Sequence, residues 1–433
     1  MKFSNQLHDT IVIGAGQSGI AMSGNLSRRG IEHIVLEQEE VANRWRKWRW
    51  DSLMANGPAW SNCLPGLPDN NFHPSDFQPK DAVADYLERF AKRIEMPIHT
   101  GVQVTKVTRN REDSTFALET SGGPLRAKRI VSAVGAFQNP FIPDVGAVDP
   151  GILQLHSVDY KNPDQLPPGA VLVVGAGSSG AQIADELHDA GRKVFLSISA
   201  HNRTPRRYRG RDYNWWLGVL GDWDRQTEAS SEHYTVAVSG ANGGKTIDYK
   251  EFAQRGMILL GRVDAIEESS VRLADNLRHD IERGDQSLVN FLRRIDAYVE
   301  QRDLDVPEDP DAYKMIPHPE CVENPVLEIS MASEKISAII WATGFNVDYS
   351  WLDVEEALDQ RGYPNHHRGE SAADGIYFIG LPFLTSFGSS FLISIWHDAD
   401  MVANLIERRA RFEAGEQYLA SALFAGRKSA GAT

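Results

Sequence analysis

A chain of 433 residues with a net charge of −14, 42% apolar and 24% charged, has the composition of a globular protein of two or three domains. The acidic balance excludes a nucleic-acid partner of the usual basic-faced kind. Cys63 and Cys321 stand in no CxxC or metal-ligand spacing, which excludes a disulfide framework, a metal site and a dithiol redox centre.

The first predicted unit opens with "TIVI", an apolar run suited to a strand buried on both faces. It breaks into Gly14-Ala-Gly16-Gln-Ser-Gly19, and Ile20, Met22 and Leu26 then follow at helical spacing. A second strand, "HIVL", ends on Glu37, eighteen residues after Gly19. This order of strand, turn, helix, strand and acid is the dinucleotide fingerprint. Gly14 makes the tight turn, Gly16 lets backbone approach a pyrophosphate, and Gly19 lets helix and strand pack. Glu37 accepts the ribose hydroxyls.

The same unit recurs at "VLVV", with Gly175, Gly177 and Gly180, a helix over Ala181–Leu187 and the strand "KVFLSIS". With one residue fewer allowed in the helix–strand connection, Ser197 takes the place of Glu37. A serine does not repel a 2′-phosphate. The next segment, "HNRTPRRYRGR", carries five arginines in eleven residues. Arg203, beside Thr204, is expected to meet that phosphate, with Arg206 and Arg207 as alternatives. The first site is therefore expected to hold FAD and the second NADPH, one reducing the other.

The aromatic stretch 213–223 is expected to form a buried helix in preference to a substrate lid or an oligomer contact. The uncharged run 375–396 is long enough to span a bilayer, yet Pro382 and several glycines, serines and threonines favour a buried strand at Ile376–Leu381, a loop and a core helix. Proline-bearing segments place the boundaries. An FAD-binding domain is expected over 1–165 and 330–433, with an NADPH-binding domain inserted at 166–329. The fold class is α/β with two Rossmann-like domains. The chain is expected to be cytoplasmic, without a leader or a membrane span.

Several stretches resemble the class B flavoprotein monooxygenases, the flavin-containing monooxygenases and their Baeyer–Villiger relatives. They are residues 43–68 with Trp45-Arg46 and Asn56-Gly57-Pro58, "AVGAFQNPFIP" at Ala133–Pro143, His156 and Tyr160 in "LHSVDYKNP", and Ala342-Thr343-Gly344. The family pattern FxGxxxHxxxY is half present, because Pro150 and Ile152 stand in place of its Phe and Gly. The resemblance implies that NADPH reduces FAD, that dioxygen adds at the flavin C4a, and that one oxygen atom passes to a small organic substrate. By resemblance Asn56 supports that adduct, while Trp45, Arg46, His156, Tyr160, Ala342, Thr343 and Gly344 belong to the cofactor sites. Gly380 is placed near the flavin by analogy of fold. The partners implied are a small molecule and dioxygen, and a homo-oligomer is compatible with the chain. Nitrogen, sulfur and ketone substrates all stay open. So does an NADPH oxidase or quinone reductase on the same scaffold.

Overall fold

The apolar run before each glycine turn has no face that tolerates water, and each becomes the middle strand of a parallel sheet. In the computed structural model, residue 3 and residues 5–69, 71–226 and 235–429 are described, with backbone alone for 235–236 and 416–429. In the first sheet the parallel strands run in the order Ile376–Phe378, Leu125–Ser132, Leu7–Ile13, His33–Glu37 and Ile98–Thr100. In the second the order is Leu153–His156, Ile336–Trp341, Ala170–Val174, Val194–Ser197 and Ile258–Leu260. Four strands follow one order in both sheets, whereas the edge strand is the last in sequence in the first, Ile376–Phe378, and the first in sequence in the second, Leu153–His156. Each unit also carries an antiparallel meander: Val104–Arg109 and Phe116–Thr120 join the first sheet through Leu125–Ser132, while Val263–Glu267, Ser270–Leu273 and Glu328–Ser330 form a separate three-stranded sheet in the second.

The duplication extends to single atoms. Gly14 and Gly175 adopt φ of +106° and +98°, backbone that a side chain resists. A Cβ on Gly19 would lie 1.8 Å from the Gly14 carbonyl oxygen, and one on Gly180 would lie 1.8 Å from that of Gly175. Below each turn passes the residue that follows a distant strand, Ala133 after Leu125–Ser132 and Ala342 after Ile336–Trp341. A Cβ on Gly14 would come within 2.8 Å of the Ala133 oxygen, and one on Gly175 within 2.6 Å of the Ala342 oxygen. Thus "SAVG" and "WATG" are one element used twice.

The domain boundaries need correction. Leu153–His156 and Ile336–Trp341 fall outside 166–329, yet both are strands of the second sheet. The reason is burial. Ala170–Val174 is apolar throughout and needs a neighbour on each side, and Ile336–Trp341 supplies the second. The chain passes between the units through Asn139–Pro140 and returns through Phe345–Asn346, and these two segments pair antiparallel.

The two apolar stretches pack on each other. Residues 213–223 form the helix Tyr213–Val219, in which Trp216 is fully buried and donates to the Tyr208 carbonyl at 2.9 Å. Residues 375–396 give a strand over Ile376–Phe378, shorter than expected, then a loop and the start of the helix Leu392–Ser429. Trp223 stacks on Phe387 of that loop at 5.7 Å and accepts from the Gly388 amide at 3.0 Å. Among the described residues no helix is long and apolar enough to cross a membrane.

Replacing Gly19 or Gly180 with alanine should destabilise the protein by about 3 kcal/mol, since the new methyl meets backbone rather than a movable side chain. Gly16→Ala, where nothing lies within 4 Å of the new methyl, should stay within about 0.5 kcal/mol in the cofactor-free protein. Denaturant unfolding of the three variants checks both.

Candidate active site

The first turn carries the features of a site for a diphosphate. The open approach at Gly16 leaves room beside the helix start. Glu37 closes the second strand; its Oε2 accepts from the Ala15 amide at 2.7 Å and its Oε1 from the Glu39 amide at 2.9 Å. Trp45 donates through Nε1 to Gln17 at 3.1 Å, and Gln17 in turn donates to the Ser390 carbonyl at 2.8 Å. Gly380, at φ +81°, is pressed against the same helical turn, where a Cβ would fall 2.2 Å from Ser18 Oγ.

Arg46 is not part of this site. Its guanidinium is spent on Asp85 and Glu88 of the helix Lys80–Arg93, at 2.7 and 2.6 Å. A second cation of this segment, Arg44, has no carboxylate bound to it among the described residues. Its Nη1 is buried without a partner, its guanidinium stacks on Trp48 at 3.2 Å, and burial lowers its pKa against the pull of Glu39 and Glu37. Ala42, two residues earlier, donates its amide to the Ala15 carbonyl at 3.0 Å, so this segment lies on the glycine turn. A half-buried guanidinium, one of whose nitrogens is buried and unpartnered among the described residues, on a segment tied to that turn fits the anionic diphosphate of FAD. Arg49, over the Phe137 ring at 5.2 Å, is pushed down to about 10 by burial and then by the charge of Arg44. Nothing in the sequence pattern separated Arg44 and Arg49 from Arg46.

The second turn differs in what surrounds it. Gly14 donates its amide to Leu36, and Gly175 donates to Ser197. Ser197 is therefore the counterpart of Leu36, and Ile198 is the counterpart of Glu37, again eighteen residues after the third glycine. The connection is not shortened, and the expected placing of Ser197 is off by one. Its hydroxyl donates to the Gly261 carbonyl at 2.9 Å. The absence of a carboxylate still holds, because Ile198 is fully buried and uncharged. Gly177 caps its helix in the same extended conformation as Gly16. The Tyr249 hydroxyl donates to the Ala176 carbonyl and supports the turn.

Arg203 is held from within. It pairs with Asp285 at 2.7 Å and with Asp248, while Lys250 reaches Asp285 at 2.5 Å. Its side chain is 11% exposed. Two cations thus face two carboxylates in a nearly closed cluster, and Thr204 is buried beside the Tyr213 hydroxyl. Arg206 pairs with Asp212 at 2.5 Å, whereas Arg207 is exposed and bonds the Gly243 carbonyl at 2.9 Å. The arginine run is largely neutralised internally, which a one-dimensional charge count cannot show.

His156 and Tyr160 both look into the second unit. His156 Nε2 donates to the Gly344 carbonyl at 3.0 Å and its ring meets Phe345 edge-on; burial lowers its pKa, so the neutral ring is favoured. Tyr160, fully buried, donates to Glu186 at 2.8 Å, and Ser52 reaches the other oxygen of Glu186. Ala342 lies under the second turn, Thr343 donates to the Phe141 carbonyl, and Gly344 accepts from the Phe141 amide. Asn56 stands at the seam of the two units, half-buried. Its Oδ1 accepts from Gln182 at 2.9 Å and its backbone carbonyl accepts from Arg206 at 2.7 Å.

Residues 11–220 match the family described as pyridine nucleotide-disulphide oxidoreductase. The chain is 32% identical over 400 residues to an uncharacterized CzcO-like oxidoreductase of Geobacillus kaustophilus, covering 92% of this chain and 97% of that one. It is 30% identical over 195 residues to the indole-3-pyruvate monooxygenase YUCCA1 of Oryza sativa subsp. japonica, covering 43% of this chain and 47% of that one. Its fold is similar to that of a flavin-containing monooxygenase from Stenotrophomonas maltophilia, with a TM-score of 0.65, 18% identity, and 94% and 99% of the two chains covered.

Fold and site together define an FAD-dependent oxidoreductase with a second unit for a pyridine nucleotide, on the scaffold of the flavin monooxygenases. Within that class the chain belongs to the family of CzcO-like oxidoreductases.

Arg203→Ala should destabilise the protein by about 3 kcal/mol, because it leaves the buried Asp248 carboxylate without its cation. The Michaelis constants for NADPH and NADH should then move together. An unchanged unfolding midpoint with a higher KM for NADPH alone would return Arg203 to the 2′-phosphate.

Proposed function

We propose that this protein is an NADPH-dependent flavin monooxygenase acting on a small organic substrate, an amine, a sulfide or a ketone. FAD is assigned to the unit that carries Glu37 and Arg44, and NADPH to the unit that carries Gly175, Gly177 and Gly180. The cytoplasm supplies that reductant. Bound FAD supplies hydride acceptance and the activation of dioxygen.

One observation carries the reading: a neutral amide, Asn56, stands where the two units meet, with its oxygen and its backbone carbonyl engaged and its NH₂ group unpartnered among the described residues. A neutral donor of this kind stabilises developing charge on oxygen without titrating. Close contacts between the units flank it, and an activated oxygen species needs a site shielded from water. Gly240 approaches Ala55 so closely that a Cβ would lie 2.1 Å from its carbonyl oxygen, and Asn214 donates to Ser61 at 3.1 Å. The first contact joins the second unit to the strand Met54–Pro58 and the second joins it to the helical turn Ala59–Asn62 that follows. Disulfide chemistry has no support here. Cys63 and Cys321 are free thiols that pack against different cores.

The test is a single turnover. Protein reduced anaerobically with NADPH is mixed with oxygenated buffer, and the flavin spectrum is followed. The expected result is a lag before the oxidised spectrum returns, and sulfoxide formation when methyl phenyl sulfide is present. Immediate reoxidation with stoichiometric peroxide would instead make the protein an NADPH oxidase or quinone reductase. Asn56→Ala should raise the substrate-free rate of NADPH oxidation and peroxide release by about tenfold, the effect of one lost charge-stabilising hydrogen bond. An unchanged rate would remove Asn56 from the chemistry.

A further inference from the structure

Gln182 lies one turn into the helix Ser178–Asp189, which starts at the second glycine turn. It is 8% exposed, and its Nε2 makes two bonds, to Asn56 Oδ1 at 2.9 Å and to the Val238 carbonyl at 2.7 Å. A backbone carbonyl only accepts, so the end of Gln182 that faces Val238 is its NH₂ group. The same nitrogen faces Asn56, so Asn56 must turn its oxygen toward Gln182. The Asn56 NH₂ group is thereby directed away from Gln182, and it has no hydrogen-bond partner among the described residues.

Two neighbouring contacts make this arrangement rigid. The Val238 amide donates to Ser178 Oγ at 3.2 Å, which ties the Val238 carbonyl to the first residue of the same helix. On the other side the Asn56 backbone carbonyl accepts from Arg206, whose guanidinium is forked onto both oxygens of Asp212 at 3.0 and 2.5 Å. Arg206 therefore holds the backbone of Asn56, and Gln182 holds its side chain.

We infer that Gln182 is a positioning residue that selects one of the two orientations of the Asn56 amide and so presents its N–H donors to the reacting oxygen. The inference rests on the assignment of Asn56 to oxygen chemistry. It adds that the orientation is set from the nucleotide-binding helix of the other unit. An amide flipped by half a turn presents a carbonyl, which repels an electron-rich oxygen where the NH₂ group would bind it. Orientation, not only presence, decides whether Asn56 works.

Three substitutions of similar length separate donor chemistry from volume. Gln182→Leu removes both bonds and frees the amide to turn. Gln182→Glu offers only acceptors and draws the Asn56 NH₂ group toward itself. Gln182→Lys keeps a donor for both carbonyls. The first measurement is the substrate-free rate of NADPH oxidation with peroxide release, compared with Asn56→Ala. The Leu and Glu variants should raise it by about tenfold, as Asn56→Ala does, while the Lys variant should stay near the parent. The second is read on the cofactor-free protein labelled with ¹⁵N-asparagine, where the side-chain NH₂ signal absent from Asn56→Ala should shift in Gln182→Leu and stay in place in Gln182→Lys.

If Asn56→Ala raises the rate and all three Gln182 variants do not, Gln182 has no positioning role and the monooxygenase reading stands. If Asn56→Ala also leaves the rate unchanged, the reading and the inference fail together. A Lys variant as leaky as the Leu variant, or an unshifted Asn56 signal in Gln182→Leu, overturns the donor argument in favour of simple packing.

Discussion

Two close approaches, the starts of the helices Gln17–Arg28 and Ser178–Asp189 against the turns before them, set the geometry on which the rest of the molecule depends. Only a hydrogen fits at Gly19 and Gly180, because the carbonyls of Gly14 and Gly175 occupy the space of a methyl group. That contact draws each helix down onto its sheet and leaves its first amides facing outward at the carboxyl ends of the strands. Beneath each turn passes a carbonyl of the residue that follows a distant strand, Ala133 after Leu125–Ser132 and Ala342 after Ile336–Trp341, and the small side chains of these alanines lie beside Gly19 and Gly180. One steric requirement thus specifies the turn, the helix and a strand more than a hundred residues away.

The units differ where charge matters. Glu37 ends the second strand of one sheet, and buried Ile198 occupies the matching place in the other. In the first unit Arg44 makes no ion pair among the described residues, while in the second Arg203 and Lys250 close onto Asp248 and Asp285. Shape is common to both sites, and electrostatics distinguishes them. At the seam, polar side chains of one unit are completed by the other: Asn56 by Gln182 and Arg206, and Tyr160 by Glu186. Buried polar groups of this kind are costly unless satisfied, so the relative placement of the units is specified by hydrogen bonds as well as by apolar packing.

Much of the fold was legible in the sequence because its signals are local. An apolar run, three glycines and a helical period identify each unit, and the absence of a cysteine pair removes a branch of chemistry. What could not be read was anything set by register or by pairing across the chain. Ser197 was misplaced by one residue because alignment by glycines leaves the helix–strand connection free, and only the bond from the Gly175 amide counts it. Arg46 and Arg203 look like cofactor cations in one dimension, and both turn out to face carboxylates far along the chain. Arg44 gives no signal at all, since its distinction is a partner it lacks. The boundaries at 166 and 329 followed proline-bearing segments, whereas strands of the second sheet lie outside them on both sides, at Leu153–His156 and Ile336–Trp341.

The insertion of one unit within the other has a consequence for the order in which the molecule assembles. The strand Ile376–Phe378 pairs with Leu125–Ser132, and the long helix Leu392–Ser429 follows it, so the first sheet stays incomplete until the whole of the second unit has been made. The second sheet, by contrast, draws its strands from one continuous stretch of chain between Leu153 and Trp341. As the chain emerges, the inner unit is the first to have all its partners at hand, while the outer one waits with an apolar strand edge and an unfinished core. Contacts this distant in sequence form slowly. The outer unit, first to be translated, is the last to close.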